Sequence, residues 1–157
     1  MDHDYFMGFA LELSRKTAAH GNLPCGAVIV RDGEIVDEGA NTVNSDGDPT
    51  AHAEVMALRS AAKRLGSVDL AGCTLYSTME PCPMCCWAIL LTRMERLVVA
   101  GRHDPTLRPD LGSYTVETFL KMTGRPLQFL AGVRQREGEE PFRAWLAEHN
   151  MQGTGSR

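Results

Sequence analysis

At 157 residues, with 43% apolar and 23% charged residues, the chain has the composition of an ordinary globular domain, large enough to bury a core without disulfide staples. Its net charge of −4 gives no general attraction to phosphate backbones, so nucleic acid is not the expected partner, and no run approaches the length of a membrane span. Five cysteines, an odd number with two in a C-x-x-C, point to metal ligation in a reducing compartment; with no signal-peptide pattern in the first residues, a cytoplasmic location is expected.

Residues 4–20 carry Phe6, Phe9, Ala10, Leu13 and Thr17 at helical spacing, with Glu12, Arg15 and Lys16 elsewhere around the turn, which predicts an amphipathic helix ending near Gly21. Two strands, 26–30 and 34–38, flank Arg31-Asp32-Gly33, and Asp-Gly is a strong hairpin signal. Residues 41–50, rich in Asn, Ser, Asp, Gly and Pro, read as a loop into a helix starting near Thr50 and running through Met56, Ala57, Ala61 and Leu65. Residues 73–79 read as a strand. Pro81 and Pro83 mark the turn into a helix that is apolar nearly all round at residues 87–91, and so is expected deep in the fold. A buried strand at 97–100, a loop at 101–112, a helix marked by Val116, Phe119, Leu120 and Thr123, a strand at 127–131 and a helix from Pro141 to His149 complete the order; residues 151–157 read as a frayed tail. Strands separated by helices predict an α/β fold. Its sheet should have five strands, mixed, antiparallel at the first hairpin and parallel thereafter, covered by helices on both faces.

Two short pieces carry the chemistry. His52, Cys82 and Cys85 supply three ligands for one zinc ion per chain, which leaves the fourth tetrahedral position to a water, as in catalytic rather than closed structural sites. Glu54 is the additional part, a candidate base for that water. On an ideal helix residues two apart do not face the same way, so how His52 and Glu54 converge depends on the way the first turn is set. Cys25, Cys73 and Cys86 read as small buried apolar residues.

His52-Ala53-Glu54 and Glu80-Pro81-Cys82-Pro83-Met84-Cys85, in this element order, resemble the cytidine deaminase superfamily, whose zinc signature is H-x-E with P-C-x-x-C. The resemblance covers residues 4–150 and implies a single zinc-dependent deaminase domain over 1–157, a hydrolase acting on C–N bonds of cyclic amidines. It implies zinc on His52, Cys82 and Cys85, Glu54 as proton shuttle, and a homodimer formed through helices next to the zinc site. A helix between the last two strands is similar to the free-base and tRNA branch, with a parallel fifth strand. For substrate contacts the resemblance implies Asn41, with Trp145 and Glu148 closing over the ring as in fungal-type cytosine deaminases; Ala53 is a further candidate, and His103 and Asp104 are expected at the pocket mouth from their position after the fourth strand. Bland readings stand beside these: Asn41 as a turn residue, Trp145 as core, Glu148 as a solvated charge, and His103 and Asp104 as ordinary loop polarity.

A small nucleobase-like substrate is therefore expected, cytosine first and guanine or another purine second. The C-terminal aspartate and tyrosine pattern of bacterial guanine deaminases is not found, nor the lysine run of tRNA adenosine deaminases. Two alternatives remain: tRNA-specific adenosine deamination, with Arg93, Arg96, Arg102 and Arg108 as a basic rim, and a non-catalytic zinc-containing binding domain, which would have no use for Glu54.

Overall fold

The computed structural model describes residues 1–149; the tail expected at 151–157 lies outside the described residues. Helix α1 (His3–Ala18) is capped by Asp2, whose side chain accepts from the Tyr5 amide. Its buried stripe is Phe6, Met7, Ala10, Leu11, Ser14 and Thr17, with Phe9 and Leu13 at its margin, so the helix is turned slightly from the expected face. Strands β1 (Gly26–Arg31) and β2 (Glu34–Ala40) form the hairpin, and Asp32 and Gly33 both have positive φ, 52° and 79°, as a two-residue turn of this hand requires.

The segment after β2 is less irregular than its composition suggests. It holds a short helix, α2 (Val43–Asp46), at whose start the Asn41 side chain accepts from the Val43 amide. Then come α3 (Ala53–Leu65), β3 (Thr74–Met79), α4 (Pro83–Leu91), β4 (Arg96–Gly101), α5 (Val116–Thr123), β5 (Gln128–Ala131) and α6 (Gln135–Glu148). The sheet order is β2-β1-β3-β4-β5. The expected antiparallel hairpin and parallel later strands are both present: β3, β4 and β5 run parallel, and β1 joins β3 antiparallel. On one face α1 packs Phe6, Met7, Ala10 and Leu11 against Val28, Val30, Tyr76 and Val98. The other face takes α3 and α4 together with Phe142, Trp145 and Leu146 of α6. Among the described residues no helix is long and apolar enough to cross a membrane.

Two expectations need correction. Helix α4 is not buried all round: Cys85, Cys86, Ile89 and Leu90 face inward, while Met84, Trp87 and Leu91 are 39%, 39% and 57% exposed. Composition cannot choose which side of an apolar helix meets the sheet. Helix α6 begins at Gln135, not at Pro141, which lies inside it. Gly138 explains the early start, because a Cβ there would collide with the Thr78 carbonyl oxygen and would come within 2.9 Å of Ala100. The missing side chain lets α6 lie directly on the sheet, and that contact supports the helix ahead of the proline.

Gly39 has the same role under α3, where a Cβ would meet the Ala57 amide and lie 2.5 Å from the Ala53 carbonyl oxygen. Gly39→Ala should therefore cost about 1–3 kcal/mol. At about 2–4 °C per kcal/mol for a chain of this size, calorimetry should find the unfolding midpoint lowered by several degrees.

Candidate active site

His52 does not belong to the first turn of α3; it is the residue before it. Its backbone is extended (φ −71°, ψ 151°), whereas Glu54 is in the first turn. That break lets two side chains two residues apart converge. Cys82 stands at the equivalent position of α4, also extended (φ −68°, ψ 169°), with Pro83 opening the helix. Two helix N-termini thus meet at the carboxyl end of β3, and their unpaired amides favour thiolate.

The three side chains meet closely. His52 Nδ1 lies 3.6 Å from Cys82 Sγ and 3.4 Å from Cys85 Sγ, and the three ligand atoms lie within 4.8 Å of one another. Tetrahedral zinc with its usual N and S bond lengths needs ligand atoms roughly 3.5 Å apart. The set fits. The hydrogen bond from the Cys85 thiol, aided by His52, holds the Cys82 thiol down to about 4 despite burial, while the same contact and burial push Cys85 up. Burial opposes charge on His52, but the hydrogen bond to Cys82 and that thiolate's charge outweigh it and raise the imidazole pKa.

Glu54 is buried beside this cluster. Burial, then the charge of Cys82, raises its carboxyl above the usual range. The Ser77 hydroxyl of β3 lies 2.9 Å from Glu54 Oε1 and 2.8 Å from the Met79 carbonyl oxygen. One hydroxyl proton cannot serve both, so donation to Met79 leaves Ser77 able to accept from a protonated Glu54. A cavity of about 20 Å³ adjoins Glu54, its walls including Leu23, Cys25, Asn41, Ala53, Met79, His103, Arg108 and Phe142. A larger groove of about 810 Å³ lies at the starting ends of β4 and β5, between Leu90, Arg93, Glu95, Arg125 and Gln128; none of His52, Cys82, Cys85 and Glu54 lines it, and it plays no part in this site.

The wall opposite the metal ligands hangs from Glu80. Its buried carboxylate accepts from Arg102 Nε (2.8 Å), the His103 amide (3.2 Å) and the Val116 amide (2.9 Å), and the Tyr114 hydroxyl donates to the Pro81 carbonyl (2.6 Å). The residue that leads into P-C-x-x-C therefore fastens both ends of segment 102–115.

Asn41, Ala53 and His103 stand in the cavity wall with Glu54. Asp104 faces away, accepting from Thr106 and pairing with Arg143. Trp145 is core, 7% exposed and stacked on His149, and Glu148 is exposed; neither reaches the cavity, where α6 places Phe142 instead. Sequence reasoning gave Arg108 only as part of a basic rim, where the structure puts it in the cavity wall, and it missed Phe142 and the fastening role of Glu80.

Residues 1–101 match the cytidine and deoxycytidylate deaminase zinc-binding region. The chain belongs to that deaminase family. It is 46% identical to guanine deaminase of Bacillus subtilis over 148 residues, 92% of this chain and 94% of that one. It is 43% identical to tRNA-specific adenosine deaminase of Aquifex aeolicus over 101 residues, 64% of this chain and 67% of that one. A structure solved in a study of A-to-I editing by tRNA:A34 deaminases superposes with a TM-score of 0.77 at 33% identity, covering 87% of this chain and 98% of that one. The fold and family are those of zinc-type deaminases, hydrolases of C–N bonds. Cytosine, the first expectation from sequence, has no support among these relatives.

His52→Ala and Cys82→Ala should each leave the purified chain with well under one zinc per protomer, while Cys73→Ala, outside the cluster, should keep it. Elemental analysis after dialysis against a weak chelator distinguishes them.

Proposed function

We propose that this chain hydrolyses the exocyclic amine of a free purine base, guanine first, with zinc held by His52, Cys82 and Cys85 and with Glu54 moving the protons. The observation that carries the reading is the extent of the likeness to guanine deaminase. Its span is long enough to take in both the loop bearing His103 and the part of α6 bearing Phe142, whereas the 101-residue match to the tRNA enzyme is too short to include both α1 and α6.

Electrostatics favour the same side. The four arginines that could form a basic rim are engaged within the chain: Arg93 with Asp69, Arg96 with Gln128, Arg102 with Glu80 and Glu117, and Arg108 with Asp110. With a net charge of −4, little is left to hold a phosphate backbone. A tRNA adenosine remains the second reading, on the strength of the relatives alone.

Bound zinc supplies a Lewis acid and a water acidified toward neutrality. Glu54, buried and with raised proton affinity, is placed to move the protons of the hydrolysis: it would take one from the attacking water, pass it to a ring nitrogen and help the amine leave, so that one water is consumed and one ammonia released. Ser77 holds the carboxyl in line. Asn41 uses its oxygen on the Val43 amide, which leaves its NH₂ group for the edge of the base, and Phe142 offers an apolar wall. His103, whose two ring nitrogens are buried without a hydrogen-bond partner among the described residues, presents one donor and one acceptor to the ring. We read residues 1–157 as one catalytic domain, and the exposed Met84, Trp87 and Leu91 face of α4 as the surface on which two copies meet.

Glu54→Gln should lower ammonia release from guanine by about 10²–10⁴-fold while zinc content is unchanged. A panel of free bases and nucleosides tests the substrate; ammonia from tRNA adenosine but from no free base would reverse the ranking. Multi-angle light scattering should give twice the chain mass, and Leu91→Lys with Trp87→Lys should return it to one.

A further inference from the structure

Arg108 is the only arginine or lysine buried among the described residues, its side chain 4% exposed, and it lies in the cavity wall. Its partner is Asp110, two residues on, joined through Nε and Nη2 at 2.9 Å each. An ion pair between such near neighbours forms equally well on the surface, and withdrawing it from water carries a desolvation cost that a surface pair avoids. The fold does not need the burial: α5 and the loop ends are already fastened by Glu80. What the burial achieves is to put a guanidinium among the site residues, where its charge acts on His52, Cys25 and His103 and helps burial hold the His103 imidazole down to about 4.

We infer that Arg108 is a specificity-determining residue, reading two adjacent acceptors, a ring carbonyl oxygen and its neighbouring ring nitrogen, on the edge of the base far from the amine that leaves. This rests on the proposed purine deamination and sharpens it to oxopurines. A guanidinium carries five N–H donors and no acceptor; two are spent on Asp110, which leaves three on a residue that lines the same cavity as Asn41, whose amide also offers donors. Asp110 balances the charge, so the pair suits a neutral ring rather than a carboxylate or phosphate. Guanine has the required edge. With its 2-amino group at the metal, O6 and N7 project to the far side, and these two acceptors match an arginine fork. Adenine attacked at its own amine presents no carbonyl there. The cavity, about 20 Å³, has room for one water, so a base enters only as the wall gives way, and Arg108 lies on the part of that wall carried by a loop and not by the sheet.

The test separates recognition from turnover. In the zinc-loaded Glu54→Gln protein, binding of 2-aminopurine, which lacks O6, is followed by fluorescence, and guanine by competition. Guanine should bind roughly 10- to 100-fold more tightly, and adding Arg108→Met should erase most of that preference while affinity for 2-aminopurine changes little. Arg108→Lys, which keeps the charge but not the fork, should fall between, and it serves if the methionine variant does not fold. An unchanged preference, an equal loss for both bases, or no binding of either overturns the assignment. Ammonia release by the unmodified protein is scored separately: a guanine preference that depends on Arg108 but comes without turnover supports the assignment and removes the proposed reaction.

Discussion

The meeting of one imidazole with two sulfurs, at 3.4–3.6 Å, is the contact on which the rest of the site depends. It joins residues thirty positions apart and can form only because α3 and α4 both begin at the carboxyl end of β3, each preceded by an extended residue that turns its side chain away from the helix surface. Buried thiolate and carboxylate in one place repel each other. Two helix N-termini and a divalent cation are the means by which such a cluster becomes tolerable.

Around that contact the protein divides its tasks between rigid and adaptable parts. Sheet and helix ends hold the metal ligands, Glu54 and Ser77, all on elements packed against the core. The opposite wall is a loop fastened at its two ends to Glu80. Reaction chemistry needs fixed distances, whereas selection among bases can be altered by changing a loop without disturbing the metal. The proposed part of Arg108 follows from this division: it is a charged group carried into the site by the segment that the scaffold leaves free to vary.

Helix packing here depends on absent side chains as much as on present ones. Gly39 allows α3 to come close enough to β2 to place His52, and Gly138 brings α6 onto β3 and β4 so that Phe142 reaches the cavity. In a strand or helix pattern such glycines read as weaknesses; in the folded chain they set the distance between layers.

Much was legible from the residues alone. The ligand set, the Asp-Gly hairpin, the element order and the parallel later strands follow from local signals, because ligand chemistry, turn conformation and hydrophobic period are properties of short segments. Asn41 was singled out by resemblance and His103 by its position after the fourth strand, and both line the cavity. Other features were decided only by tertiary contact. Apolarity all round α4 could not say that Met84, Trp87 and Leu91 would face out; Pro141 marked a helix start that the contact at Gly138 moved upstream; Trp145 and Phe142 both pack into the core, and only tertiary contact gave Phe142 and not Trp145 a place in the cavity wall. Arg108 and Asp110 look like an ordinary surface pair in sequence. Their burial depends on where the loop lies across the sheet end, a long-range fact that no short window of sequence contains.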